Sequence, residues 1–277
     1  MSNPLVSIIV PTKNSGELLE DFLNSLKNQT YKNIEVVVND DVNTVDETNK
    51  IVEKYKQDGL NVQYFQKNLS MAQGRKTGAE QAQGEIMLHV DSDMTLDPKL
   101  VAEVVTKIND KFDALIIPEE SFGTSFWARC KWLEKKCYEG VEQIESLRCL
   151  KTSAYKLIGG HNPTLVFSED KDLDIRIKKA GYKVGRTENY IRHNEGHLSL
   201  RKTLKKKLFY TNTADQFAEL HPDQFKWQRN IFFRYFIFIK NWRYFITHPF
   251  LYAGMFFIKT SEFLFGGIGL LISRGRN

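Results

Sequence analysis

Short apolar runs alternate with amphipathic stretches over the first ninety residues of the chain. The apolar runs have the length of strands, and the stretches between them carry apolar residues at helical spacing. The predicted strands are Leu5–Val10, Ile34–Val38, Val62–Phe65 and Ile86–Val90. Three helices are predicted in this part of the chain. The first starts at Asn14-Ser15-Gly16-Glu17, which has the arrangement of a capping box. The others span 47–57 and 70–82. This order predicts an α/β fold with a mostly parallel sheet and helices on both faces.

The alternation stops near residue 120. Residues 124–139 and Ser168–Ala180 are predicted helices, Arg148–Lys151 a candidate edge strand, and Tyr182–Arg186 a further strand. From about Leu198 onward, basic residues are mixed with many aromatic ones. The chain therefore divides into a long α/β part and a basic, aromatic C-terminal part.

Carboxylates follow two of the predicted strands, where open α/β sheets bind their ligands. The segments after the strands are Pro11-Thr12-Lys13-Asn14, Asn39-Asp40-Asp41 and Asp91-Ser92-Asp93. Asp91 and Asp93 are oxygen ligands of the kind that Mg²⁺ and Mn²⁺ take, although solvated turn acids are also common. Asp40-Asp41 has two interpretations: an acid that caps the next helix, or an acceptor for a nucleobase or ribose.

Arg75 lies among small residues near the start of the helix predicted over 70–82. These small residues would let the helix approach the sheet closely, and an arginine suits contact with a phosphate or a pyrimidine. The alternative is a solvated helix face. The sequence has neither a phosphate-loop pattern nor G-x-G-x-x-G after the first strand, which removes the main support for kinase, ATPase and dinucleotide-binding functions.

Composition and charge refine this interpretation. Hydrophobic content of 42% and charged content of 26% are those of a globular protein. Residues 1–191 carry 25 Lys/Arg and 29 Asp/Glu, whereas residues 192–277 carry 14 and 5, so the net charge of +5 comes from the C-terminal third. Three cysteines without zinc spacing indicate reduced thiols in a cytoplasmic setting. The N-terminus lacks the features of a signal peptide.

Several motifs in register resemble the family 2 glycosyltransferases. They are Val6 to Asn14, Leu18-Leu19, Ser25 to Tyr31, Ile34 to Asp41, Asn68 to Gly78, Gly84 to Asp93, Ile158-Gly159-Gly160, Ser168 to Arg176 and Ala180-Gly181-Tyr182. The resemblance covers about residues 5–195. It implies a GT-A fold over 1–197, with a Rossmann-like nucleotide-binding half of about 1–97 and an acceptor half of about 98–197, followed by a helical segment over 198–277.

The resemblance also implies inverting transfer from a nucleoside diphosphate sugar, with a UDP-sugar the expected donor. By this resemblance Pro11, Thr12, Asn14 and Ser92 border the nucleotide sugar, Asp41 binds the base, Arg75 lies near base and phosphate, and Asp91 and Asp93 hold ribose and metal (Mn²⁺ or Mg²⁺). Asp170 takes the position of the catalytic base, although Glu169 and Asp170 would also suit a helix N-terminus. Some relatives place a metal-ligating histidine near His193, with His197 the weaker candidate.

This sequence departs from the family pattern at three places. Asn39 and Val42-Asn43 replace the more usual surroundings of Asp41, and Lys171 stands where the family often has an aromatic residue. The departures put base preference and sugar choice in doubt more than the reaction.

The basic, aromatic C-terminal part predicts contact with a membrane surface. Basic residues interleaved with Trp, Tyr and Phe favour helices in an anionic interface. The run from Pro249 to Ile272 approaches spanning length but is interrupted by Lys259 and Glu262, so spanning, re-entrant, soluble and homo-oligomeric packing stay as alternatives. No nucleic-acid motif accompanies the charge, and nucleic acid is not an expected partner. We expect a cytoplasmic protein, peripheral on the inner face of the cell membrane.

The expected reaction is transfer to a hydroxyl of a glycan acceptor, most simply a lipid-linked one. A polyprenyl-phosphate glycosyl synthase is the alternative enzyme, but a phosphate acceptor is already ionised and has less need of Asp170. A processive synthase is disfavoured because Gln-x-x-Arg-Trp is absent from the sequence. A non-catalytic scaffold with the same fold is the alternative outside enzymes, and the carboxylates at 91, 93 and 170 argue against it.

Overall fold

The computed structural model describes residues 3–67, 70–211 and 214–274. Asn68, the first residue of the motif that runs to Gly78, lies outside the described residues. The chain forms two compact units. Unit 1 comprises the residues up to Pro118 together with Ser146–Thr164 and Glu169–His193, and unit 2 comprises Glu119–Glu145, Leu165–Ser168 and the residues from Asn194 onward. Unit 2 thus includes Glu119–Glu145 and Leu165–Ser168, which fall within residues 1–197, the range expected for the GT-A fold.

Unit 1 is an α/β structure. Its strands are β1 (Val6–Thr12), β2 (Ile34–Asp40), β3 (Val62–Gln66), β4 (Ile86–His89), β5 (Met94–Leu96), β6 (Ala114–Ile116), β8 (Leu147–Lys151), β9 (Val184–Arg186) and β10 (Ile191–Asn194, whose last residue belongs to unit 2). Its helices are α1 (Gly16–Lys27), α2 (Thr48–Gln57), α3 (Met71–Gln81), α4 (Leu100–Asp110), α6 (Thr152–Leu157) and α7 (Glu169–Lys179). All the strands and helices predicted before residue 90 are present, with ends that differ by one or two residues.

The main sheet has seven strands in the order β3-β2-β1-β4-β8-β6-β9. The pairs among β3, β2, β1 and β4 are parallel, and β8 runs antiparallel to both of its neighbours. The prediction of an edge strand at Arg148–Lys151 was wrong, since β8 lies inside the sheet. Leu147, Cys149 and Leu150 are buried there, as an interior strand requires.

Helices cover both faces of this sheet. One core contains Ile8, Val36 and Leu88, with Phe22 and Leu23 from α1 and Val101 and Val104 from α4. The opposite face is built around Ile9, Val37, Met87 and Leu150 with Leu173 and Ile177 from α7. Continuous apolar runs in β1 and β2 match this two-sided burial. The carboxyl ends of β1, β2 and β4 are therefore fixed on a rigid base.

The capping box predicted at Asn14 to Glu17 does not form. Ser15 is the residue before α1, but its side chain donates to the Lys13 carbonyl and accepts no N–H. Asp46 accepts from the Gly16 N–H instead, at 2.8 Å. A capping box does form at α3, where Ser70 accepts from the Gln73 N–H and the Gln73 side chain accepts from the Ser70 N–H.

Unit 2 contains one strand and a set of helices. They are β7 (Glu119–Phe122), α5 (Phe126–Tyr138), α8 (Leu200–Thr211), α9 (Ala214–Leu220), α10 (Pro222–Gln228), α11 (Ile231–Lys240), α12 (Arg243–Thr247) and α13 (Pro249–Arg274). Their apolar core joins α5, α11 and α13 through residues such as Leu133, Phe238 and Met255. Gly254 lets α13 approach α5, because a Cβ there would lie 2.6 Å from the Cys130 sulfur.

The two charges that interrupt the apolar run of α13 are inside the protein. Lys259 and Glu262 contact each other at 2.6 Å, and they pair with Glu134 and Lys131 of α5 at 2.6 Å and 2.5 Å. Lys131 also contacts Glu134 at 2.9 Å, so the two lysines and two glutamates balance in charge. The cluster fixes one face of α13 against α5, because removing any member would leave one buried charge uncompensated.

The other face of the C-terminal helices is apolar and exposed. Phe232 and Phe236 of α11, Trp242, Phe245 and Ile246 around α12, and Phe250, Phe257, Leu264 and Leu271 of α13 are all more than half exposed. By length and composition, Pro249–Leu271 is the one stretch in the described chain that could cross a membrane, with 39% of its most apolar window buried inside the protein. A core helix of a soluble protein would pass the same test.

Candidate active site

The ends of β1 and β2 are tied together at the surface. The Asp41 N–H donates to the Thr12 carbonyl at 3.0 Å, and Lys13 Nζ lies 3.1 Å from Asp41 Oδ2. The other oxygen of Asp41 accepts from the backbone and the side chain of Asn43. The Asn43 backbone N–H, the Asn43 amide and Lys13 together lower the pKa of Asp41 below its usual value. Asp41 is thus held as an ionised acceptor beside Pro11 and Thr12.

Asn14 adopts the left-handed region, with φ 49°, which asparagine tolerates better than most residues. Its Oδ1 accepts from the Val45 N–H at 2.8 Å, and its own N–H donates to Thr44 Oγ1. Asn14 therefore shapes the loop that follows β2. Thr12 is buried, and its hydroxyl has no hydrogen-bond partner among the residues that the structure describes.

Small residues bring α3 against the sheet, as the sequence predicted. A Cβ on Gly78 would lie 2.7 Å from Ile9 Cγ2, and one on Gly74 would lie 3.2 Å from Pro11 Cβ. Asn39 donates to the Gly74 carbonyl at 2.9 Å, which gives this departure from the family pattern a structural role. The close approach carries Arg75 to the end of β4.

Arg75 is 3% exposed and lies among three carboxylates. It donates to Asp91 Oδ1 at 2.5 Å, contacts Glu169, and lies 3.0 Å from Asp170 Oδ1. Arg148 of β8 adds a second cation, 3.7 Å from Asp91 Oδ2. Asp91 is therefore paired with two arginines.

A buried histidine stands behind Asp170. His161 Nε2 is 3.4 Å from Asp170 Oδ1, and His161 Nδ1 is 3.1 Å from the Tyr155 hydroxyl. Burial lowers the pKa of His161, which therefore carries no charge at neutral pH. The Tyr155 oxygen also accepts from the backbone N–H of His161. We therefore infer that the Tyr155 hydroxyl donates its proton to His161 Nδ1. The imidazole proton is then on Nε2, which faces Asp170.

Arg176 of α7 fixes the loop that presents His161. Its guanidinium donates to the Ile158 and Gly160 carbonyls at 2.8 Å and 2.6 Å and pairs with Asp172 at 2.7 Å. Gly160 has φ 69° there, a conformation that favours glycine. The Gly159-Gly160 motif and the motif from Asp172 to Arg176 thus contact each other and together position His161. Lys171, the other departure from the family pattern, is buried and lies 2.9 Å from Asp174.

The two acids at the start of α7 differ in their electrostatic surroundings. Burial, together with the charge of Asp170, raises the pKa of Glu169 to about 7. Burial also disfavours the ionised form of Asp170, but Arg75 and His161 outweigh it and hold the pKa of Asp170 well below its usual value. Asp170 is thus the ionised member of the pair at neutral pH.

Replacing Glu169 by Gln should change how stability depends on pH. The pKa of Glu169 is raised in the folded chain, so the stability it contributes is full below its ordinary pKa of 4.5 and is lost as the pH rises through about 7. As the pH rises from about 4.5 to 8, the unfolding free energy of Glu169→Gln minus that of the wild type should increase by about 1–3 kcal/mol. Urea unfolding at both pH values measures this difference. Parallel pH profiles for the two proteins would contradict it.

Asp93 and His193 meet at the other side of the β4–β5 turn. His193 Nε2 is 3.1 Å from Asp93 Oδ2, and β10 pairs with β5 to bring them together. A carboxylate oxygen and an imidazole nitrogen at this spacing fit as two ligands of one Mn²⁺ ion. Within the described residues no three His, Cys, Asp or Glu side chains form a metal-binding group. Two such groups would be a partial ligand set, of the type that substrate phosphates complete.

The structure brings most of the predicted residues together within unit 1. Pro11, Thr12, Asn14 and Asp41 form one group, Arg75, Asp91 and Asp170 a second, and Asp93 with His193 a third, while Ser92 is buried in the turn between Asp91 and Asp93. His197 is exposed and lies in unit 2. Sequence reasoning missed Arg148, Tyr155 and His161. The position of His161 directly after the Gly159-Gly160 motif was the one available signal.

Comparison with known proteins identifies the family and the fold. Residues 7–158, just over half of the chain, match the glycosyl transferase family 2 domain. A Campylobacter jejuni GalNAc(5)-diNAcBac-PP-undecaprenol beta-1,3-glucosyltransferase is 34% identical over 113 residues, which are 39% of this chain and 36% of that protein. The chain spans about a third of the length of the first curated relatives that it matches.

Two solved structures share the fold. A mannosyltransferase from Pyrobaculum calidifontis in complex with GDP-Man and Mn²⁺ has a TM-score of 0.71 at 16% identity, over 98% of this chain and 88% of that one. Staphylococcus aureus TarS 1–349 in complex with UDP-GlcNAc has a TM-score of 0.55 at 22% identity, over 74% of this chain and 65% of that one. The fold is therefore GT-A, a class built on a mostly parallel sheet flanked by helices. The chain belongs to glycosyl transferase family 2.

Proposed function

We propose that this protein transfers a sugar from a nucleoside diphosphate sugar to a hydroxyl of a glycan acceptor, with inversion at the anomeric carbon. The observation that carries the proposal is the cluster at the end of β4, in which Arg75 gathers Asp91, Glu169 and Asp170 in a family 2 chain. Burying three carboxylates around one guanidinium is costly, which favours a catalytic function for this cluster over a purely structural one.

The nucleotide is proposed to lie along the ends of β1 and β2. Asp41 would accept a hydrogen bond from the base, and Thr12 offers a buried hydroxyl that has no partner in the described part of the chain. Pro11, Asn14 and Ser92 would border the nucleotide, and Asp91 would approach the ribose. UDP-GlcNAc and GDP-Man in the structural relatives are consistent with a nucleotide sugar as donor, and a UDP-sugar is our expectation.

Asp170 is proposed to act as the general base. It takes the proton of the acceptor hydroxyl while that oxygen forms a bond to the anomeric carbon. The bond from that carbon to the β-phosphate oxygen breaks with both electrons going to the leaving diphosphate. Attack opposite to the leaving group inverts the configuration. His161, Tyr155 and the Arg176 clamp would act as positioning residues for Asp170.

Contact with Arg75 determines how strongly Asp170 binds a proton. With Arg75 at 3.0 Å, Asp170 holds a proton weakly, and a carboxylate of this kind is a poor base. The diphosphate of a donor is a competing anion with a geometry that suits guanidinium. If Arg75 turns toward it, the pKa of Asp170 rises. Donor binding would thereby activate the base at the moment it is needed.

Asp93 and His193 are proposed to hold Mn²⁺ or Mg²⁺. When bound, such an ion supplies positive charge to the leaving diphosphate. The chain contributes one carboxylate and one imidazole, whose orientation β5 and β10 fix. Asp91 stays a candidate ligand, with Arg75 and Arg148 as its partners in the structure.

Replacing Asp93 by Asn should abolish the metal dependence of donor binding. The affinity for the nucleotide sugar in the presence of Mn²⁺ should fall about 10–100-fold, whereas the weaker affinity in EDTA should stay unchanged. Calorimetric titration with and without the metal measures both. His197→Ala, at an exposed position, is the control and should match the wild type. Equal Mn²⁺ enhancement in Asp93→Asn would contradict the assignment.

The acceptor is proposed to be lipid-linked, with the protein peripheral on the cytoplasmic face of a membrane. The exposed apolar side chains of α11–α13 and the positive balance of residues 192–277 support this. The C. jejuni relative, by its name, acts on an undecaprenol-linked glycan. Recovery of the intact protein in the soluble fraction at low salt without detergent would contradict membrane binding.

A panel of nucleotide sugars tests the function as a whole. Thermal unfolding in the presence of Mn²⁺ should identify one nucleotide sugar that raises the melting temperature more than its free nucleoside diphosphate does, because the sugar adds contacts to the bound state. Stabilisation by none of the panel would contradict the proposed function.

A further inference from the structure

A cavity of about 560 Å³ lies within unit 2, among α8, α9, α10 and the C-terminal half of α13. Its volume is within the range of sites for small molecules, about 300–1,000 Å³. Apolar side chains make most of its wall: Phe167, Phe225, Phe263, Leu264, Ile268, Leu270 and Leu271. Its lining residues do not include Arg75 or the three carboxylates around it.

The cavity opens at an apolar rim. Leu264, Ile268 and Leu271 line it and are 64%, 43% and 72% exposed. An apolar cleft of this size that faces water is unusual, since interiors contain few voids larger than a water molecule and exposed apolar area is costly. An apolar occupant that enters from the surface would remove that cost.

Two cations stand at the wall of the cavity. Lys207 of α8 and Arg229 at the end of α10 both line it. Glu262 also lines it, but its carboxylate pairs with Lys131 and Lys259. Burial and the charge of Lys259 lower the pKa of Lys207 to about 8, so an anion beside it would be stabilising. Apolar wall and cationic groups together match an amphiphile with an anionic head.

We propose that this cavity binds the hydrocarbon chain of the lipid-linked acceptor, with its phosphate or diphosphate group beside Lys207 and Arg229. The inference rests on the proposed function and adds to it where the lipid part of the acceptor is held. A general membrane contact through the exposed face of α11–α13 does not require the cavity, and the experiment separates the two.

The chain offers a matched pair of substitutions on one helix. Gly267 lines the cavity, and a Cβ there would meet no atom within 4 Å, so Gly267→Phe is the substitution chosen to occupy the cavity. Ala253→Phe places the same side chain at an exposed position of α13 that does not line the cavity. Arg229→Gln and Lys226→Gln form a second pair on α10, of which only Arg229 lines the cavity.

Farnesyl diphosphate, farnesol and inorganic diphosphate are the probes, titrated in EDTA without nucleotide sugar. The wild type should bind farnesyl diphosphate at one saturable site, farnesol more weakly, and diphosphate least. Gly267→Phe should weaken farnesyl diphosphate binding about ten-fold or more, and Ala253→Phe should leave it unchanged. Arg229→Gln should weaken farnesyl diphosphate more than farnesol, and Lys226→Gln neither.

Equal binding by the wild type and Gly267→Phe would overturn the proposal, as would attachment to anionic vesicles without a saturable site for the soluble probe. A cooperative urea-unfolding transition like that of the wild type verifies that Gly267→Phe is folded. The readout needs no sugar transfer, so saturable probe binding in a protein that fails to use any nucleotide sugar would refute the proposed function and leave the cavity assignment standing.

Discussion

Asp170→Asn should reduce sugar transfer by about 10²–10⁴-fold, the usual contribution of a positioned general base. The substitution keeps the shape of the side chain and removes its capacity to take a proton. Donor binding should stay within a few-fold of the wild type, since Asp91, Glu169 and Arg75 all remain. Release of nucleoside diphosphate measures turnover, and calorimetry measures donor affinity.

Two controls test whether lost turnover in Asp170→Asn comes from the missing base rather than from a general effect of removing a carboxylate. Asp113→Asn removes a carboxylate of unit 1 that pairs with Lys151 outside the cluster, and it should leave turnover unchanged. The pH profile of Asp170→Asn should lose the acidic limb that protonation of the base gives the wild type. Unchanged turnover in Asp170→Asn would refute the assignment of the base.

Arg75→Met should be the most destabilising of the substitutions considered. It removes the cation from the centre of three carboxylates that are each less than a third exposed. Breaking a buried pair from one side costs about 3–5 kcal/mol, and that loss is expected near pH 8. Urea unfolding measures it.

Lowering the pH should restore part of the unfolding free energy that Arg75→Met loses. Without Arg75, the pKa of Glu169 in the folded chain, already raised, would rise further, and that of Asp170 would rise above its unfolded value. The penalty is then complete above those raised pKa values and is lost as the pH falls through them. Lys151→Met, which breaks a more exposed pair with Asp113, should cost at most about 1 kcal/mol. A loss in Arg75→Met that is the same at pH 5 and pH 8 would contradict the electrostatic account.

The sequence predicted the first half of the fold because its strands are short, apolar and separated by helical periodicity. It did not predict that β8 lies inside the sheet, since the pairing of β8 with β4 and β6 joins residues far apart in the chain. It also predicted a capping box over Asn14 to Glu17 from the local pattern alone. Asp46, thirty residues away, accepts the Gly16 N–H there instead.

The candidate site was predicted unevenly for a similar reason. Asp41, Asp91 and Asp93 follow strands, and strand ends can be read from one sequence. His161 and Arg148 acquire their roles only through tertiary contacts with Asp170 and Asp91. The partner of Asp91 was likewise not predictable, because the resemblance suggested a metal and the folded chain supplies two arginines.

Release of nucleoside diphosphate from nucleotide sugars tests the central claim most directly. In the presence of Mn²⁺, the wild type should release the diphosphate from the one sugar nucleotide that stabilises it, slowly with water and faster with a lipid-linked glycan as acceptor. Asp93→Asn and Asp170→Asn should each suppress that release. Release from none of the nucleotide sugars, or equal release by both variants and the wild type, would contradict the account.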